Sequence, residues 1–161
     1  MPKKVAPVPR GYHTVTPAIV VDDAAGAIRF YRKAFGAKER NRSVGPGGKI
    51  WHAEIQIGDS VVMVSDEFPE MGMKSAKTLG DVPGGLWLYV PNVDRVYRAA
   101  IKAGATSVRE PKDEFWGDRM AIVDDPFGHT WSMATHRENV SPKEVERRRK
   151  AAVQEMGSAD G

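Results

Sequence analysis

The chain has 161 residues, 41% hydrophobic and 28% charged, with 24 Lys and Arg against 21 Asp and Glu, for a formal net charge of +3. That composition reads as soluble and globular, with too little positive charge to call for nucleic acid and no apolar run of about 18 residues to cross a membrane. It holds no Cys, which removes disulfides, a thiol nucleophile and thiolate metal sites, and makes a cytoplasmic location the expectation.

The first segment, "MPKKVAPVPRG", has two Lys but no apolar core after them, so residues 1–12 read as a Pro-rich arm and not a signal peptide. From Ala18, "AIVVDDAAGAIRFYRKAFGA" is a short apolar strand, a cap residue (Asp23), an amphipathic helix and a Gly-Ala stop. The i, i+3, i+4, i+7 spacing predicts that Ala24, Ala27, Ile28, Tyr31 and Phe35 are buried. The charged stretch "KERNRSVG" reads as an edge strand. "KIWHAEIQIGDSVVMVSDE" then gives two strands and a tight turn, closing a first module at residues 13–67. The link over residues 68–83 mixes Pro, Gly, Ser and Met without a period, and is expected to be a long loop that covers or binds.

A second module, residues 84–137, repeats the first. "WLYVPNVDRVYRAAIKAGA" matches the earlier strand and helix, with Asn92 standing 69 residues after Asp23. Its helix is expected to bury Val93, Val96, Tyr97, Ala100 and Ile101. "SVREPKDE" is the second charged edge strand, and "DRMAIVDDPFGHTWSMATH" falls on the first hairpin at the same shift of 69. Each unit is therefore βαβββ. Residues 138–161 carry a capping box, Ser141 to Glu144 with Pro142 at the first helical position, then a terminal helix and tail. The run "RRRK" in that helix has Glu144 and Glu146 beside it and reads as a solvated face.

Alternation assigns the strand faces. Val15, Ile19 and Val21, then Trp51, Ala53, Ile55 and Ile57, then Val62 and Val64 should face the helices; so should Leu86, Leu88, Val90, Trp131 and Met133. The opposite face forms a cup with Thr14, Thr16, Ala18, His52, Glu54, Gln56, Val61, Met63 and Ser65 from the first module. Gly85, Trp87, Tyr89, Thr130, Ser132 and Ala134 supply it from the second. Polar and aromatic walls of this kind suit a small-molecule pocket.

The strand entering "VDDAAGAIRFYRKAFGA", the "HAEIQIGDSVVMVSDE" hairpin and "DDPFGHTWSM" after a second βα unit resemble the vicinal oxygen chelate superfamily, also called the glyoxalase/bleomycin-resistance/dioxygenase superfamily. "GYHTVTP", "SDEFPEMG", "FWGDR" and "DPFGHTWS" resemble its PhnB-like branch; the likeness runs from Gly11 to Glu144. It implies an α+β fold of two tandem βαβββ modules forming a cupped mixed sheet, and a homodimer. In metal-dependent members it implies a divalent ion held by His, Gln or Glu on inner strand faces. Those ligand positions fall here on Thr16, Met63, Gly85 and Ser132. Gly offers no side-chain donor, Met is a soft ligand, and hydroxyls bind divalent ions weakly, so no metal is expected there.

His52 and Glu54 share a strand face, where a carboxylate can hold a charged imidazole acting as general base. The same pair can instead contribute two ligands to a displaced divalent metal, with His13 or His129 as third. Trp116, beside Gly117, can lie flat over a ligand with Asp118 and Arg119 orienting it. His129 reads as a surface or turn residue, and Asp66 and Glu67 as gating or solvated groups by the loop. Ser132 has no base beside it. Two functions of different class follow: metal-free binding or sequestration of a small molecule, with Thr16, Met63, Trp87, Tyr89, Trp116, Asp118 and Ser132 in the pocket, or a lyase, isomerase or dioxygenase-like enzyme using His52 and Glu54. A purely structural dimerisation domain is a third.

Overall fold

The computed structural model describes residues 5–158; the first four residues of the arm and the last three of the tail lie outside it. Two four-stranded mixed sheets carry the fold. The first is ordered β1-β4-β3-β2, with β1 Ala18–Val21, β2 Lys38–Val44, β3 Ile50–Ile57 and β4 Ser60–Asp66. The second is ordered β5-β8-β7-β6, with β5 Gly85–Tyr89, β6 Thr106–Asp113, β7 Asp118–Asp124 and β8 Thr130–His136. In each sheet the first strand pairs parallel with the last. The two charged strands, β2 and β6, are edges, where side chains can stay in water.

Helix α1, Ala24–Phe35, starts where the Asp23 side chain accepts from Gly26 N and stops at left-handed Gly36. The short α2, Ala76–Leu79, lies in the inter-module loop. Helix α3, Val93–Ala103, starts at Asn92, which accepts from Arg95 N, and stops at left-handed Gly104. Helix α4, Pro142–Ser158, follows the second module. Among the described residues no helix is long and apolar enough to cross a membrane.

The repeat extends to buried capping contacts. Asp66 ends β4 and accepts from Ala24 N at 2.7 Å and Ile50 N at 2.6 Å. At the equivalent place, Thr135 on β8 accepts from Val93 N at 2.8 Å. Each module thus anchors the first N–H of its helix with its last strand. Asp66 is buried and neither gates nor faces water. Glu67 accepts from Ser75 N and the Thr78 hydroxyl, which fastens the inter-module loop.

One apolar core joins the modules. It takes Ile19, Val21, Ala53, Ile55, Val62 and Val64 from the first sheet and Ala121, Val123, Trp131 and Met133 from the second, with the inner faces of α1 and α3 between. Tyr31 and Phe35 on α1 lie 5.2 and 4.7 Å from Trp131, centroid to centroid. Three expectations fail for local reasons, and one buried residue goes unassigned. Val15 is exposed, because β1 begins only after Pro17. Trp51 is 40% exposed and stacks on Phe68, while a register shift at Ser43/Val44 leaves Ile50 buried in its place. Ile101 sits at the exposed rim of α3. Phe30, which no face assignment included, is buried against Phe127 and Tyr31.

Candidate functional site

The register keeps the expected inner-face residues together. Ala18, Met63 and Glu54 lie side by side across β1, β4 and β3. Trp87, Ser132 and Ile122 do so across β5, β8 and β7, followed by Tyr89, Ala134 and Met120. Between the modules lies a cavity of about 700 Å³. Thr16 and Pro17 enter it ahead of β1, Val61 from β4, and Gly85, Trp87 and Tyr89 from β5. Phe35 and Val96 bring the ends of α1 and α3 to its wall. Its walls are mostly apolar, with aromatic faces and few polar groups, the usual make-up of a ligand pocket. Trp87 and Tyr89 remain 48% and 66% exposed, with ring centroids 6.2 Å apart.

Of the seven pocket residues read from the sequence, Thr16, Trp87 and Tyr89 line this cavity. Met63 lines a shallower hollow of about 390 Å³, with Thr16, Tyr12 and the Pro-rich arm. Trp116, Asp118 and Ser132 do not line the main cavity. Residues of the inter-module loop do not line it either.

Asp118 anchors a second group on the same sheet face. It is buried, and accepts from Tyr89 Oη at 3.0 Å, Trp116 Nε1 at 3.1 Å and His136 Nδ1 at 2.7 Å. Burial pushes its carboxyl up, but the hydrogen bonds from His136, Tyr89 and Trp116 outweigh that and leave it below the usual range. His136 also turns Nε2 to Asn139 Oδ1 at 2.9 Å, so both ring nitrogens face oxygens. Those contacts, Asn139 first and then Asp118, hold its pKa above the ordinary histidine value. Trp116 is thus fixed by Asp118, which itself steadies Tyr89 at the cavity wall. Arg119 has no part in this: it points to the helix side and clamps Asp94 with two hydrogen bonds of 2.8 and 2.9 Å. His136 is the residue the pocket reading missed. Carrying the even-numbered alternation of β8 two residues past Ala134 would have found it opposite Asp118.

His52 and Glu54 do meet, with Nε2 to Oε1 at 3.2 Å. Glu54 is buried, and its carboxyl is held below the usual range by the Tyr12 hydroxyl, against burial, with further help from His52 and Asn41. Tyr12 lies in the "GYHTVTP" stretch and Asn41 on a charged edge strand, and nothing in the sequence linked either to Glu54. The two other histidines lie elsewhere. His13 reaches the Asp59 carbonyl at 3.3 Å. His129 is buried, not a surface residue, and donates from Nε2 to the Val20 carbonyl at 3.1 Å, tying the second module to β1.

The donors at the family's metal positions do not fit a divalent ion. Thr16 Oγ1 donates to the His13 carbonyl at 3.1 Å. Met63 offers only a thioether. Gly85 lacks a side chain, and a Cβ there would stand 2.7 Å from the Thr130 carbonyl oxygen, so β5 approaches β8 too closely for one. Among the described residues, no group of three or more His, Cys, Asp or Glu is placed to hold a metal.

The profile of the Glyoxalase/Bleomycin resistance protein/Dioxygenase superfamily matches residues 12–133. An uncharacterised protein of Mycobacterium tuberculosis is 44% identical over 135 residues, spanning 82% of this chain and 79% of that one. Among solved structures, TioX from Micromonospora sp. ML1 superposes with a TM-score of 0.61 at 26% identity, covering 77% of this chain and 98% of its own. The PhnB protein from Bacillus cereus shares the fold with a TM-score of 0.58 at 14% identity, covering 76% of this chain and 99% of its own. Profile, topology and repeat agree, and this chain belongs to the glyoxalase/bleomycin resistance protein/dioxygenase superfamily.

Proposed function

We propose that the protein binds and sequesters a small organic molecule with a planar apolar part, in the cavity between its modules, without a metal. The observation that carries this reading is the cavity itself: about 700 Å³, walled by Trp87, Tyr89, Phe35 and Val61, with His13, Thr16, Asp59 and Ser60 among its polar lining. Trp87 and Tyr89 offer exposed ring faces to a planar group. The donor set Thr16, Met63, Gly85 and Ser132 supports the metal-free part. Met63, Trp116, Asp118 and Ser132 contribute by shaping the sheet face around the cavity rather than by lining it. The test is quenching of Trp fluorescence by planar aromatic compounds in wild type and Trp87→Ala. Saturable binding, weakened about tenfold or more by removing the Trp87 face, is expected; an aromatic anchor of this size contributes about 2 kcal/mol or more. Binding equal in both proteins would exclude this wall.

A second reading has its own observation. His52 and Glu54 stand in hydrogen-bond contact, with the carboxylate held ionised, an arrangement suited to a general base. In that reading the protein is a lyase, isomerase or dioxygenase-like enzyme. Turnover lost in His52→Ala with ligand binding retained would select it over sequestration. The protein is also read as a homodimer: β1 and β5 each have a free edge, and Trp87 and Tyr89 lie exposed on β5. Light scattering on the purified chain tests the dimer, and cell fractionation tests the cytoplasmic location.

A further inference from the structure

A second hollow, of about 340 Å³, opens where the end of α1 meets the start of α3. It adjoins the main cavity, from which Phe35, Pro91 and Val96 divide it, since these three residues line both. Its remaining character is cationic. Arg32, Lys33 and Arg95 line it, and no carboxylate does.

Several Arg side chains elsewhere are matched with acids, as Arg42 is with Glu39, Arg119 with Asp94 and Arg148 with Glu138. Among the described residues, the side chains of Arg32, Lys33 and Arg95 make no ion pair and no hydrogen bond. Among the described residues Arg10, Arg29, Arg40 and Arg98 form no ion pair either, so what distinguishes this hollow is that three cations share one concavity whose lining holds no carboxylate. Helix α1 contains no acid at all, so nothing on it can neutralise Arg32 or Lys33. The nearest acid on α3, Asp94, is already clamped by Arg119. Arg32 and Lys33 occupy the last turn of α1, where a cation complements the helix dipole. Arg95 has no such justification: it lies in the first turn of α3, the end where a cation is disfavoured. Three like charges around one concavity repel one another unless an anion sits between them.

We infer that this hollow is a binding site for an organic anion, with a phosphate or carboxylate group held by Arg32, Lys33 and Arg95 and an apolar body resting on Phe35 and Val96. Paired guanidinium groups suit such oxyanions because their planar forks donate two parallel hydrogen bonds. The site is separate from the ligand proposed for the main cavity and does not depend on it.

The test is calorimetric titration of the full chain with butyl phosphate, butyrate and inorganic phosphate, which carry no planar apolar group for the main cavity, at low ionic strength. Saturable binding of butyl phosphate or butyrate is expected, tighter than that of inorganic phosphate and weakening as salt is raised. Arg95→Ala should weaken it about tenfold or more, and Arg32→Ala/Arg95→Ala should abolish it, since a hydrogen bond to a charged group contributes about this much. Both arginines are exposed, so these variants keep the wild-type melting temperature. Trp87→Ala should leave the titration unchanged. No saturable binding, binding insensitive to the arginine changes, or binding lost in Trp87→Ala would each overturn the assignment, the last by moving the anion to the main cavity.

Discussion

The Tyr31 hydroxyl, on the helix of the first module, donates to Asp125 Oδ2 in a turn of the second at 2.7 Å. Trp131 Nε1 donates to the same oxygen at 2.9 Å, and Phe127 N and His129 N donate to the other. All four donors converge on one buried carboxylate at the seam between modules. Tyr31→Phe removes one donor and leaves Asp125 otherwise satisfied, so it should cost about 1–2 kcal/mol. Thermal melts should show a loss of about 2–8 °C. Asp125→Ala orphans every donor and should cost about 3 kcal/mol or more. Equal melts for the two variants would contradict this seam.

Gly85 is held without a side chain by the approach of Thr130. Gly85→Ala should therefore cost about 1–3 kcal/mol by forcing β5 away from β8. Gly85→His, which restores a ligand type at a family metal position, should destabilise as well and gain no metal. A stable Gly85→His protein that binds one divalent ion per chain would overturn the view that backbone packing closes this position.

The Asp118–His136 contact predicts a pH window. The pKa of His136 is raised in the folded chain, so its contribution is complete below the unfolded value, about 6.5, and lost as pH rises through the folded one. The pKa of Asp118 is lowered, so its contribution is present above its unfolded value, about 3.9, and lost as pH falls through the folded one. The melting difference between wild type and His136→Gln should be largest between these limits, near about pH 5.5, and shrink as the solution becomes alkaline. A difference that stays constant from acid to alkaline pH would show that the contact is not charged.

Glu54 accepts from Tyr12 and His52 on the first sheet, away from the main cavity. Under sequestration, Glu54→Gln and His52→Ala should leave ligand affinity within about twofold, as expected for changes that do not touch the ligand. Fluorescence titration checks this. A large loss of affinity in both variants would place the ligand on the first sheet.

The sequence carried the parts of this architecture that recur. A shift of 69 residues paired Asp23 with Asn92, and the structure uses both as helix caps. Alternation placed Met63 and Glu54, or Trp87 and Ser132, on common faces because the period of a strand is two. It failed at Trp51, where an irregular register moves the strand by one residue. The site was less legible than the fold. His129 and Asp66 were misread because their partners, Val20 O and Ala24 N, stand 109 and 42 residues away. Tyr12 joins Glu54 from an arm whose prolines impose no period. The cationic hollow joins the ends of two helices, a meeting that only tertiary packing creates.

The most direct test of metal-free binding is a fluorescence titration on protein shown by elemental mass spectrometry to be free of Zn, Mn, Fe and Ni, using a planar aromatic set with and without added divalent ion. Metal-free sequestration requires saturable binding with the same affinity in both conditions. Binding that appears only when metal is added, at about one ion per chain, would contradict it and send the search to ligands other than Thr16, Met63, Gly85 and Ser132.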